Sequence, residues 1–440
     1  MSSKICVLGL GYIGLPTASI LATNGFEVVG VDTNPRVVET VNRGSVHIHE
    51  PGLFTLVQAA VKSGALRAAE EVESADVFII AVPTPVTADK RADLTYVRNA
   101  GKMIARVLQA GNLVILESTV PPGTCINILR PVLEESGLQA GPNFGLAHCP
   151  ERVIPGRTVR ELTQNDRVIG GIDRAAAEAA SRLYKTFVEG KIYLTDCTTA
   201  EMVKLMENTY RDVNIALANE LALICEELGV SAWEVIELAN LHPRVNIHQP
   251  GPGVGGHCIA VDPWFIVERF PEAARLIKLG RTINDGMPAH VVRRVQEILR
   301  GVDKPRVAVL GVSYKGNIDD ARSTPALPVI RGLEKAGIEL FIYDPHVRDF
   351  EYALSGLQEA LQGADCLVLL ADHDEFKFLH PQEVGKLMRR RIVLDTRNVL
   401  SANLWRQGGF TVHRLGVGRR ASGDDLVSVV TCAERATSEG

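Results

Sequence analysis

A cysteine sits in the most glycine-rich stretch of this chain, Gln249-Pro-Gly-Pro-Gly-Val-Gly-Gly-His-Cys258-Ile-Ala-Val-Asp262-Pro. Glycines just ahead of Cys258 let the backbone pass close to a ligand and set a thiol against it. A thiol is a natural nucleophile for an aldehyde once a base or cation raises its thiolate fraction, and His257 and Asp262 are near in sequence. The same residues also suit an inert cysteine in a glycine turn. A metal reading of His242, His248, His257 and Cys258 has poor ligand spacing, so no metal is expected.

Further upstream, Glu201, Lys204, Asn208, Arg211 and Asp212 recur at three- and four-residue steps. On a helix this spacing sets Lys204 and Asn208 on one face. A solvated charged face is one meaning of the pattern. However, Asn208, Asp212 and Asn214 are poor helix formers, and their clustering points to a site. At the N-terminus, Gly9-x-Gly11-x-x-Gly14 is followed eighteen residues later by Asp32. Such glycines permit a tight turn and close approach of a pyrophosphate to a helix N-terminus. Asp32 would accept hydrogen bonds from an adenosine ribose and repel a 2′-phosphate, which favours NAD over NADP.

These groups need elements to hold them. Residues 4–9 form a short apolar run of the kind buried on both faces of a parallel sheet. Leu15 to Asn24 reads as a helix closed by Gly25, and Glu27 to Asp32 as a second strand, which completes a βαβ unit. Further strands are expected at Asp76–Val82 and Leu113–Glu117. Thr84 and Thr119 then fall at carboxyl ends of strands, where such sheets bind ligands. The second half repeats the order at 306–311, 339–344, 363–371 and 391–395. Between the halves, Thr199 to Leu228 holds no Pro or Gly and has helical apolar spacing, predicting a helix of about 45 Å. The expected fold is α/β: two Rossmann-like, doubly wound parallel-sheet domains, residues 1–195 and 301–440, joined by a central helical domain, 196–300, with the long helix and the cysteine loop. The polar tail from about Arg419 is expected to fray.

Composition narrows the classes. With 47 Lys+Arg against 52 Asp+Glu, the net charge of −5 argues against a nucleic-acid binder. No apolar run reaches the roughly 18–20 residues of a membrane span, and no signal peptide is read at the N-terminus. Eight scattered cysteines without a Cys-x-x-Cys pair disfavour a disulfide framework and suit the cytoplasm.

Several strings together resemble the UDP-glucose/GDP-mannose dehydrogenase family over nearly the whole chain. They are the N-terminal glycine motif, Glu117-Ser-Thr119, Pro150-Glu151-Arg152, Glu201-x-x-Lys204-x-x-x-Asn208, Gly255-Gly-His-Cys258 and Tyr314-Lys-Gly-Asn-x-Asp-Asp-x-Arg322. The resemblance implies oxidation of a sugar C6 alcohol to a carboxylate by two NAD, through a thiohemiacetal and a thioester on Cys258. By it Lys204, Asn208 and Asp262 act at the C6 oxygen, while Thr119 and Glu151 position or activate water. It puts Gly9, Gly11, Tyr12, Ile13, Gly14, Asp32, Thr84, Thr119 and Arg322 at NAD. It puts Arg152, Val153, Lys204, Asn208, Arg211, His242, Arg244, Gly255, Tyr314 and Lys315 at a UDP-sugar, the last two in a degenerate glycine loop that holds UDP. It also implies a homodimer packed through the central helices. Glucose-specific members carry an acid where this chain has Pro155, which argues against glucose, and the strings at 150–156, 165–171 and 242–267 resemble members whose substrate is UDP-N-acetyl-D-mannosamine. UDP-N-acetylglucosamine, UDP-glucose, and a non-catalytic nucleotide-sugar binder stay as alternatives.

Overall fold

The computed structural model describes residues 3–154 and 156–418; Pro155 and the tail from Arg419 lie outside the described residues. Two compact units form. The first holds the residues up to Asn208 with Asp262–Ala274, and the second holds Thr209–Val261 with the residues from Arg275 onward.

The first unit is built on eight strands: β1 (Lys4–Leu8), β2 (Glu27–Val31), β3 (Leu66–Ala69), β4 (Val77–Ile80), β5 (Leu113–Leu116), β6 (Gly145–His148), β7 (Arg167–Gly171) and β8 (Ile192–Asp196). Their order is β3-β2-β1-β4-β5-β6-β7-β8. The reversal beside β1 puts the glycine loop at the sheet's switch point, the usual ligand crevice. Every pair is parallel except β6·β7, which pairs antiparallel over Ala147↔Gly171 and His148↔Gly170. The sheet is thus mixed at that point, with a parallel β7·β8 pair beyond it. Successive residues of β1 feed opposite cores, with Ile5 and Val7 in one cluster and Cys6 and Leu8 in another, as expected of a strand covered on both faces.

The second unit carries β9 (Arg306–Leu310), β10 (Glu339–Tyr343), β11 (Cys366–Leu369), β12 (Ile392–Asp395) and β13 (Thr411–Arg414), all parallel in the order β10-β9-β11-β12-β13. Val307 and Val309 face one core, Ala308 and Leu310 the other. Strands β3, β6, β7, β8 and β13 lie beyond those predicted from sequence.

Four helices matter to the site: α1 (Gly14–Thr23), α2 (Cys197–Leu228), α3 (Asp262–Arg269) and α4 (Arg275–Ile298). Helix α2 starts two residues before the predicted Thr199, ends at Leu228 as expected, and is followed by Gly229 at φ +84°. Among the described residues no helix is long and apolar enough to cross a membrane.

Candidate active site

The glycine loop between β1 and α1 is shaped by clearance. Gly9 takes φ +91°, and a Cβ there would lie 2.6 Å from the Ala81 carbonyl oxygen. A Cβ on Gly14 would fall 1.8 Å from the Gly9 oxygen, so the turn closes only with glycine at both ends. Gly11 differs, because nothing lies within 4 Å of its Cβ position. Its missing side chain leaves open space at the start of α1, where free N–H groups favour a phosphate. At the end of β2, Asp32 accepts hydrogen bonds from Leu10 N at 3.0 Å and Asn34 N at 2.9 Å. Each oxygen keeps a lone pair, so the carboxylate is fixed toward the loop and can still accept from a ribose hydroxyl. The residues present fit NAD. Tyr12 is exposed and Ile13 half-buried in the same loop. Thr84, beyond β4, donates its hydroxyl to the Thr119 carbonyl at 2.6 Å, which ties the loops after β4 and β5 together.

A second group gathers on the same unit. Asn208 Nδ2 donates to an Asp262 carboxylate oxygen at 2.6 Å, and both side chains are buried. Burial pushes the Asp262 carboxyl up to about 6, with the Lys204 charge and the Asn208 hydrogen bond holding it down from going further. Lys204 itself is half-buried. Helix α2 thus supplies a cation and an amide one turn apart, and the first residue of α3 supplies the acid. That set can hold and move a proton.

Glu151 follows β6 and is buried. Its carboxylate lies 3.7 Å from the Arg167 guanidinium, which also sits 4.8 Å from the Tyr184 ring centroid. Tyr184 donates to Glu117 at 2.6 Å, and burial raises the Glu117 carboxyl to about 7, opposed chiefly by the Arg167 charge. Glu50 accepts from Gly156 N at 2.9 Å and Thr158 N at 2.7 Å, which fixes the segment after Arg152 and Val153. Arg152 is itself engaged, with Glu207 at 2.7 Å and the Asp166 carbonyl at 3.0 Å; Val153 is half-buried beside it. Tyr184 belongs to no motif, and the family-like string Asn165-Asp-Arg167-Val-Ile-Gly-Gly171 gives Arg167 no role by itself, so sequence reasoning missed this network.

Cys258 lies in the second unit and is exposed. Its loop is anchored by a chain of amides: Asn284 of α4 accepts from Asn219 of α2 at 2.9 Å, and Asn219 accepts from Gly251 N at 2.9 Å. The glycines there serve packing as well as any ligand. A Cβ on Gly255 would meet the Ser323 oxygen at 2.6 Å and the Tyr314 Cβ at 2.9 Å, and one on Gly256 would meet the Tyr314 ring at 3.0 Å. Gly255 and Tyr314 are thereby brought together. His257 is held below its usual range by burial and then by the Arg322 charge. Arg322 pairs with Asp320 at 2.6 Å, and Lys315 is exposed near it in sequence. Arg211, His242 and Arg244 are all exposed.

Two helix residues expected at a site do structural work. Asp212 accepts from Arg281 at 2.5 Å and from Asn284 at 2.8 Å, which locks α4 onto α2. Asn214 donates to the Asn246 carbonyl at 2.9 Å and accepts from His248 N at 2.8 Å, which holds the loop carrying His242 and Arg244.

With this geometry in hand, three segments match models of one family in order. Residues 3–188 match the UDP-glucose/GDP-mannose dehydrogenase family, NAD binding domain, 198–286 its central domain, and 308–402 its UDP binding domain. The UDP-N-acetyl-D-mannosamine dehydrogenase of Methanocaldococcus jannaschii is 51% identical over 427 residues, covering 96% of this chain and 98% of that protein. An NDP-N-acetyl-D-galactosaminuronic acid dehydrogenase of Ralstonia solanacearum is 49% identical over 411 residues, covering 90% and 96%. The structure of a UDP-D-ManNAc dehydrogenase from Pyrococcus horikoshii superposes with a TM-score of 0.89 at 43% identity, over 96% of this chain and all of that one.

Proposed function

The chain belongs to the UDP-glucose/GDP-mannose dehydrogenase family, and we propose that it oxidises the C6 alcohol of UDP-N-acetyl-D-mannosamine to the carboxylate with NAD. The observation that carries the reading is the buried Asn208–Asp262 pair beside the half-buried Lys204, in a chain that also bears an exposed thiol in a glycine-rich loop. A pure binding protein needs neither. NAD, when bound by Gly9, Gly11, Tyr12, Ile13, Gly14 and Asp32 with Thr84, Thr119 and Arg322, supplies the hydride acceptor.

The chain's own residues do the rest. Lys204 and Asp262 take up the hydroxyl proton as C6 becomes an aldehyde, and Asn208 holds Asp262 in place. The Cys258 thiolate then adds to the aldehyde carbon. A carbon–sulfur bond forms, the carbonyl electron pair moves to oxygen, and Lys204 returns a proton there to give a thiohemiacetal. A second oxidation leaves a thioester. Water set by Thr119 and Glu151 attacks it, the carbon–sulfur bond breaks, and the thiolate is restored. The balance is alcohol, two NAD⁺ and water to carboxylate, two NADH and three protons. Arg152, Val153, Arg211, His242, Arg244, Gly255, Tyr314 and Lys315 bind the nucleotide sugar, with arginine suited to its pyrophosphate. The three domains run 1–195, 196–300 and 301–440.

A homodimer and a cytoplasmic setting complete the reading. The stripe Tyr210, Leu217, Ile224 on α2 is exposed and apolar, which suits burial against a second copy. A thiol nucleophile and a nucleotide substrate suit a reducing compartment.

The test is to count NADH released per sugar consumed with UDP-N-acetyl-D-mannosamine, UDP-N-acetylglucosamine, UDP-N-acetylgalactosamine and UDP-glucose in turn. About two NADH per sugar with the mannosamine compound alone is expected. No NADH with any of them sinks the reading, and turnover of another sugar reassigns the substrate. Cys258→Ala should abolish release of the uronic acid; normal release would refute the thioester route.

A further inference from the structure

Three ligating side chains, none of them assigned a part in the chemistry, converge in the first unit. Cys125, His148 and Glu201 are all buried, and one ligand atom from each lies within 4.8 Å of the other two. Cys125 starts the helical turn Cys125–Leu129 beyond β5, His148 ends β6, and Glu201 lies in the first turns of α2. A fourth donor is adjacent: Cys197, the first residue of α2, lies next to the Cys125 thiol and donates its own thiol to the Gly170 carbonyl at 3.5 Å.

His148 is the informative member. It has no solvent exposure, and neither ring nitrogen has a partner at good hydrogen-bond geometry, a weak approach to the Leu116 backbone being all that offsets its burial. A fully buried imidazole without a well-formed hydrogen bond at either nitrogen is a poor core residue, because desolvation outweighs what its surroundings return. A metal ion at the cluster would use one of those nitrogens. Glu201 is already aimed: its two oxygens accept from Gly123 N at 2.5 Å and Cys125 N at 2.7 Å, and each retains a lone pair. The backbone therefore presents a fixed carboxylate to the imidazole and the thiol.

We propose that Cys125, His148 and Glu201, with Cys197 as the nearest fourth donor, form a structural zinc site. Mixed sulfur, nitrogen and carboxylate donors suit Zn²⁺, whereas Mg²⁺ and Ca²⁺ prefer all-oxygen sets. Two thiolates, one carboxylate and one neutral imidazole bring three negative charges to the ion, the same count as the Cys₃His sites that hold structural zinc. Burial on all sides fits a closed structural site without an open catalytic position. Its place explains its use: it clamps the start of α2 to the sheet, one turn ahead of Lys204. Spread over residues 125 to 201, the donors form no sequence motif.

The test uses untagged protein carrying Cys258→Ala, so that the exposed thiol cannot bind metal. After equilibration with zinc and gel filtration, elemental analysis should find about one zinc per chain, and its removal by a chelator should lower the melting temperature. Cys125→Ser and His148→Gln should each lose the metal. Protein that carries no zinc, or zinc retained undiminished in both variants, overturns the proposal. Should the variants not fold, cobalt(II) bound to the folded Cys258→Ala protein decides. A thiolate-to-cobalt charge-transfer band with tetrahedral ligand-field absorption is expected, and its absence overturns the site.

Discussion

Asn208 and Asp262, fifty-four residues apart in sequence, meet in a buried 2.6 Å hydrogen bond that joins the middle of the long helix to the first residue of the helix after the cysteine loop. The bond fixes an acid whose carboxyl burial lifts from 3.8 to about 6. Between those values the folded state holds a proton that the unfolded chain releases, so this group's contribution to stability falls as pH rises from about 4 to about 6 and stays lost above it. The shift corresponds to about 3 kcal/mol at neutral pH. Asp262→Asn removes that penalty and keeps the acceptor for Asn208. We expect denaturant melts at pH 8 to show a gain of roughly 1–3 kcal/mol that shrinks toward pH 4, while turnover drops by about 10²-fold or more. A variant less stable than the parent at pH 8 would contradict the burial argument.

The glycine loop separates two roles that a motif merges. Gly14→Ala drives a Cβ into the Gly9 carbonyl, and should cost about 3 kcal/mol or more in thermal or denaturant melts. Gly11→Ala meets nothing within 4 Å, so the fold should keep its melting temperature. It fills the space left for a phosphate, however, and the KM for NAD should rise about tenfold or more while the KM for the sugar stays put. Equal loss of stability in both variants would show that Gly11 serves the fold rather than the cofactor.

Arg167 stands 3.7 Å from Glu151 and stacks on the tyrosine that bonds Glu117. Replacing it with methionine leaves two buried carboxyls without their cation, at a cost of about 3–5 kcal/mol at pH 8. Glu117 is already raised to about 7 by burial, and loss of the opposing Arg167 charge raises it further. An acid with a raised folded pKa gains stability as pH falls through that value, so the deficit of the variant should narrow between pH 8 and pH 6. A pH-independent deficit would mean that Arg167 acts by packing alone.

Sequence reading succeeded where the signal is local. The βαβ unit with Gly9, Gly14 and Asp32 is legible because strand, turn and helix each have a short period and a fixed punctuation residue. Strands β3 and β8 escaped it because their exposed positions, Arg67 and Tyr193 among them, break the continuous apolar run of a central strand. At Gly255 and Gly256 the composition was clear but its cause was not: the clearance serves Tyr314 and Ser323, some sixty residues on. Asp212 hints at a site because it is a poor helix former, yet its place on the helix is explained by its pairing with Arg281. Glu117, Glu151, Arg167 and Tyr184 come together only in three dimensions, so no spacing could reveal them.

The long helix also predicts an assembly. Tyr210, Leu217 and Ile224 recur every seven residues, close to two full turns, so they share one face. They are 57%, 53% and 49% exposed, and Leu228 beyond them is 65% exposed. Apolar side chains aligned in this way are costly in water and inexpensive to change when alone. Light scattering should therefore find a dimer. Leu217→Arg with Ile224→Arg should shift the mass to that of a monomer, because two charges would be desolvated at the seam. Far-UV dichroism should be retained, since neither side chain belongs to the core of its own chain. A parent that runs as a monomer, or a double variant that stays dimeric, would place the interface elsewhere.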